Sequence, residues 1–147
     1  HEDVDLAWRL RLAGYKTFYT PKARVLHVHS MTGGSASPFK AYQVHRNHYY
    51  NLIKNLPLPF LAQAFLQMPG TYWSSLREFV QGKGTAAQLN EKTGKNDRSM
   101  IAIVLQGWFE VLKNLPCLLQ KRKQIQAIKV VGNPHIKSWI ARFGGSF

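Results

Sequence analysis

Acidic side chains are scarce in this chain: there are seven in 147 residues, three of them within the first five positions and none after Glu110. The cations beyond that point, Lys113, Lys121, Arg122, Lys123, Lys129, Lys137 and Arg142, have no carboxylate in their own stretch. With a net charge of +13, they direct the chain toward an anionic surface, either phospholipid headgroups or nucleic acid. Cysteine is nearly absent. Cys117 alone can form no internal disulfide, which excludes a disulfide scaffold and predicts a reducing, cytoplasmic setting. Long apolar runs are missing as well: residues 100–105 are ended by Gln106, far short of the ~18 residues that a spanning helix needs. No signal-peptide pattern is found. The chain opens at His1, inside an acidic cluster and without an initiator Met, so it is expected to be a fragment preceded by a nucleotide-binding half.

Apolar residues make up 45% of the chain, with four Trp, eight Phe and six Tyr, and they fall in separate amphipathic stretches rather than one repeating unit. The pattern predicts a piece of an α/β domain followed by helices. Residues 3–13 read as a helix, with acids in the first turn, Leu6, Leu10 and Ala13 on one face, and Gly14 just past the end. Residues 15–20 alternate and are closed by Pro21, and residues 23–29 alternate again; both read as short strands. After a Gly/Ser-rich loop at 31–37, Ser37-Pro38 starts a helix expected to reach Asn55, where Pro57 and Pro59 interrupt. Two short helices are expected at 58–68 and 72–81, separated by Pro69-Gly70.

Residues 82–98 turn to Gly, Lys, Asn, Thr and Gln and read as a linker. Beyond it, Ile101, Val104, Leu105, Trp108, Leu112 and Leu115 keep helical spacing. Pro116 interrupts, a basic helix with Leu118, Ile125 and Ile128 follows, and Asn133-Pro134 opens a last helix carrying Ile136, Trp139 and Ile140. Lys-Asn-Leu-Pro occurs at 54–57 and again at 113–116, at a helix end both times. The expected units are therefore 1–56, a helical extension and linker at 57–98, and a basic amphipathic tail at 99–147.

Two places could carry chemistry. A carboxylate at a helix N-terminus is held ionised by the dipole and by free N–H groups, which would make Asp3 a proton acceptor; capping is the structural alternative, and Asp5 with Arg9 has ordinary i,i+4 ion-pair spacing. His27 and His29 share one face of the second expected strand, about 7 Å apart along the chain. That spacing suits a metal ion or a structural hydrogen bond.

The run Glu2-Asp3-Val4-Asp5-Leu6-Ala7-Trp8-Arg9-Leu10-Arg11-Leu12-Ala13-Gly14-Tyr15, then Tyr19-Thr20-Pro21-Lys22-Ala23-Arg24-Val25-Leu26-His27, then Arg46-Asn47, resembles the C-terminal half of the catalytic domain of family-2 glycosyltransferases with the GT-A fold, especially the bacterial rhamnosyltransferase-like members. The likeness is close over the first third of the chain and looser over the basic helices. It implies a Rossmann-like α/β domain followed by an α-helical tail. It further implies inverting transfer of a sugar from a nucleotide-sugar donor to the hydroxyl of a glycan or lipid-linked acceptor, in cell-wall, cell-surface polysaccharide or glycolipid synthesis.

On this resemblance Asp3 matches the general base and Glu2 helps to orient the acceptor. His27, ahead of His29, matches a ligand of a divalent cation, Mg or Mn, shared with an Asp-x-Asp motif expected upstream of this chain. Trp8 is open to stacking on a sugar or filling the core, Arg9 to meeting the diphosphate or pairing with Asp5, and Arg46 to a substrate contact or a structural hydrogen bond. Trp108, Trp139 and the neighbouring cations suit helices lying in a headgroup layer, which places the enzyme peripherally at the inner face of the cell membrane. The rival reading is a non-catalytic basic module that binds nucleic acid or an anionic membrane surface. The aromatics fall on apolar stripes rather than interleaving with Lys and Arg, so no nucleic-acid partner is expected.

Overall fold

The computed structural model describes residues 2–26, 37–83 and 97–143. Among them the architecture is helical: α1 (Glu2–Leu12), α2 (Pro38–Asn55), α3 (Leu58–Val80), α4 (Asp97–Lys113), α5 (Leu115–Ala127) and α6 (Asn133–Phe143).

This overturns the expected α/β class, since no strand or sheet occurs among the described residues. Residues 15–20 and 23–26 lie outside regular structure, with Phe18, Tyr19, Val25 and Leu26 almost wholly in solvent. Alternation is a local property, whereas a strand needs a neighbour to receive its N–H and C=O groups and a surface to cover one of its faces. Among the described residues neither is present for them. What forms is a turn around Pro21, in which the Ala23 N–H donates to the Thr20 carbonyl at 3.0 Å.

Helix ends follow local chemistry closely. Gly14 has φ +87°, its N–H donates to the Arg11 carbonyl, and the Tyr15 N–H reaches the Leu10 carbonyl, the paired bonds that close a helix through a left-handed residue. Gly82, with φ +68°, ends α3 in the same way through Phe79 and Glu78. Ser37 caps α2, its hydroxyl accepting from the Lys40 N–H at 3.2 Å, with Pro38 in the first turn. Both Lys-Asn-Leu-Pro copies lie at helix junctions, between α2 and α3 and between α4 and α5.

Pro69 does not break α3, which runs unbroken where two helices were expected. A proline removes one N–H and crowds the preceding turn, and here the helix continues around that single missing bond.

The helix α2 is the centre of the packing. Its Tyr49 and Ile53 bury against Val111 of α4 and Leu118 of α5, with Tyr50, Leu52, Leu61, Met68 and Trp108 around them. A second core joins Leu12 of α1, Ile125 of α5 and Ile136 of α6, and Trp8, Phe60, Val131, Trp139 and Ile140 pack on it. Leu12 and Ile136 are wholly buried, each worth about 1.5–3 kcal/mol in removal of apolar surface from water. Each core draws on residues from all three of the expected segments. The boundaries expected after residues 56 and 98 therefore separate segments that share their cores.

The predicted stripe of α4 is turned. Ile103, Gly107 and Val111 face inward with Trp108 half-buried, whereas Ile101, Leu105, Phe109 and Leu112 face solvent. The second face of α3 does likewise with Leu66, Trp73, Leu76 and Val80.

Candidate functional site

The acidic start of α1 resolves into two environments. Asp3 is exposed on the first turn, and its Oδ1 accepts from the Val4 N–H at 2.8 Å, which holds the carboxyl below its usual pKa. Glu2 beside it is exposed too and is also held down, first by a backbone N–H.

Asp5 instead faces the end of α2. Lys54 Nζ lies 2.7 Å from Oδ1, Asn55 Nδ2 donates to the same oxygen at 3.0 Å, and Arg9 Nε is 3.1 Å from Oδ2. Burial pushes this carboxyl up, but the bonds from Lys54 and Asn55 and the charges of Lys54 and Arg9 outweigh it, so the net direction is down. Asp3-Val4-Asp5 has the spelling of an Asp-x-Asp motif, yet residues two apart on a helix do not face each other. The two carboxylates diverge, and Asp5 is committed to joining α1 to α2.

The same junction is closed from α5. Arg122 Nη1 donates to the carbonyls of Ile53 and Leu56, both at 2.6 Å, and Gln126 Nε2 donates to the Asn55 carbonyl at 3.0 Å. These are carbonyls at the end of α2, which have no partner further along their own helix; a cation there also complements the helix dipole.

The remaining expected site residues are dispersed. Trp8 packs half-buried on the second core, and Arg9 keeps its pair with Asp5. Arg46 lies on α2 among its own neighbours: it donates to Gln43 and Asn47, and its guanidinium sits 5.4 Å from the ring centres of both Tyr42 and Tyr50. Arg46 is thus separate from the α1 start and held by local contacts. His27 and His29 lie outside the described residues. Among the described residues no three His, Cys, Asp or Glu side chains come together as metal ligands, so no step is assigned to an ion. Trp108 and Trp139 belong to the packing rather than to an exposed face. Trp108 Nε1 donates to the Tyr72 hydroxyl at 3.0 Å, and Arg11 covers Trp139 at 4.7 Å.

One cluster escaped the sequence reading. The Tyr72 hydroxyl also shares a 2.8 Å hydrogen bond with Tyr49 and stands 3.5 Å from His45 Nε2, while the Tyr49 and Trp108 rings lie 4.4 Å apart. Burial, then the neighbouring His48, pulls His45 down, and a bond to the Val104 carbonyl only partly opposes this. Burial lowers His48 as well, and burial with the Tyr72 bond raises the Tyr49 phenol. The available signal was the density of rings on one stretch: Tyr42, His45, His48, Tyr49 and Tyr50 recur at helical steps. Arg122 gave no comparable signal, because its partners are more than sixty residues away.

No protein-family model, curated protein or solved structure matches the chain.

Proposed function

We propose that this chain is the acceptor-side segment of an inverting glycosyltransferase, in which the Asp3 carboxylate takes the proton of an acceptor hydroxyl. As that proton moves to Asp3, the acceptor oxygen attacks the anomeric carbon of a nucleotide-sugar, the bond to the diphosphate breaks, and the nucleoside diphosphate leaves with the electron pair. The observation that carries the reading is the division of labour in α1. Asp3 is ionised and exposed at the helix start, where a hydroxyl can reach it, while Asp5 is tied down by Lys54, Asn55 and Arg9. The order of the surrounding motif supports the same reading. In this reading Glu2, exposed next to Asp3 in sequence, helps to orient the acceptor.

The test is Asp3→Asn in the enzyme that carries this segment. Turnover should fall by roughly two to four orders of magnitude while donor affinity is retained. Unchanged turnover would reduce Asp3 to a residue of the helix start.

A second reading, contact with an anionic membrane surface, is favoured by the solvent-facing apolar stripes of α3 and α4 on a chain whose end carries cations without acids. Among the described residues no single helix is long and apolar enough to cross a membrane. The α4–α5 pair meets that composition only together and is bent by 65°. Binding from one side fits this geometry, at the cytoplasmic face and close to a lipid-linked acceptor. Vesicle co-sedimentation of the chain should rise with phosphatidylglycerol content and fall as salt screens the cations. Binding indifferent to both would remove the reading.

A further inference from the structure

Leu119, Arg122, Lys123, Gln126 and Lys129 recur at steps of three and four residues along α5 and the turn after it. Together with the Pro57–Pro59 corner they line an open groove of about 490 Å³. Its two sides differ in chemistry. One, along the last helix-turns of α5 and the turn after it, carries Leu119 and then Arg122, Lys123 and Lys129, and the other is the Pro57–Pro59 corner with Leu58; no Asp or Glu lines it.

The cationic side is built rather than merely crowded. Both hydrogens of Arg122 Nη1 are committed to the Ile53 and Leu56 carbonyls, which fixes the plane of the guanidinium. A guanidinium has five N–H donors, so three stay on the groove's anchor residue without a partner among the described residues. Lys129 is steadied by a 3.1 Å bond to the Asn133 side chain. Lys123 is exposed and has no ion pair among the described residues. The apolar residues of the lining are open: Leu58 is 69% and Leu119 50% exposed.

A free phosphate would satisfy only the cations, and a nucleic-acid backbone would present a row of charges to a single concavity walled by leucine and proline. An amphiphile with one phosphate satisfies both sides. We propose that this groove binds the phosphate headgroup of a single anionic lipid, the charge held by Arg122, Lys123 and Lys129 and the start of the chains lying on Leu58 and Leu119. The inference rests on the membrane-surface reading and narrows it to a headgroup and a place.

The 147-residue chain is titrated with dihexanoyl phosphatidate below its micellar concentration, with inorganic phosphate and dihexanoyl phosphatidylcholine as parallel probes, and binding is followed by calorimetry. Phosphatidate should bind saturably and more tightly than either of the others. Lys123→Glu should weaken it about tenfold or more, since reversing one charge removes an attraction and adds a repulsion. Leu58→Ser should weaken it severalfold. Both positions are exposed, so circular dichroism should show both variants folded; Arg122 is left intact because it also closes the end of α2. Phosphate binding as tightly as phosphatidate, phosphatidylcholine matching phosphatidate, or variants that leave the affinity unchanged would each overturn the proposal. Vesicle co-sedimentation without monomer binding would also overturn it while sparing the membrane-surface reading. Monomer binding without co-sedimentation would support the groove and remove that reading.

Discussion

Asp3 and Asp5 lie two residues apart on one helix, and their surroundings give them different work. At Asp5 the stronger part is the Lys54 and Asn55 contact, where the carboxylate side chain is only 16% exposed. The Arg9 pair, with the arginine side chain 44% exposed, adds little after screening. The folded state holds the Asp5 carboxyl below its ordinary value, so the unfolded chain takes up the proton first. The stability due to Asp5 is therefore fully present above the ordinary carboxylate pKa, about 4, and is lost as pH falls through the folded value. Asp5→Asn should lower stability at pH 7 by about 1.5–3 kcal/mol, the usual worth of hydrogen bonds to a charged group. It should also show a shallower loss than wild type on acidification from pH 5 to pH 3. Denaturant unfolding at those pH values checks both. Equal stability at pH 7 would show that the network is ornamental to the fold.

Where α2 crosses α4, the contact depends on a residue with no side chain. A Cβ at Gly107 would stand 2.5 Å from His45 Cδ2, and His45 is hemmed in by the Tyr49 and Tyr72 rings. Replacing glycine by alanine inside a helix ordinarily gains up to about 1 kcal/mol. Overpacking a closed contact costs about 1–3 kcal/mol. Gly107→Ala should therefore destabilise the protein, and the same change in a His45→Ala background should turn neutral or stabilising. A thermal-melt comparison of the four proteins measures the sign, and destabilisation persisting without the imidazole would refute the account.

This crossing also shows why the sequence told only part of the fold. Helix ends were legible because Gly14, Ser37-Pro38 and Gly82 act through bonds within a few residues. The face of α4 was not, since apolar residues occupy both sides of that helix. The choice falls to Gly107, which admits a histidine sixty-two residues earlier in the chain. The alternation before and after Pro21 failed for a similar reason, because pairing is decided by a neighbour that local pattern does not reveal. At the candidate site, the Asp5–Arg9 spacing was readable, while Lys54, Asn55 and Arg122 meet it or its junction only through folding.

For the molecule as a whole, the decisive fact is that α2 is shared. Its Tyr49 and Ile53 have Val111 and Leu118 as buried partners, its terminal carbonyls are met by Arg122 and Gln126, and Leu12 of α1 is sealed by Ile125 and Ile136. Removing α4, α5 and α6 would therefore uncover both cores at once and leave the end of α2 without its donors. Each large apolar side chain returned to water costs about 1.5–3 kcal/mol, and several do so together, against a total stability of about 5–15 kcal/mol for an ordinary domain. A chain ending at residue 96 should lose cooperative thermal unfolding and much of its helical circular dichroism, although it retains the whole of α1, α2 and α3. Adding residues 97–147 as a separate peptide should restore part of the signal, because the lost contacts are noncovalent. A truncated chain that melts sharply near the wild-type midpoint would mean that the first three helices form a unit by themselves. The basic helices would then be an appendage rather than half of each core.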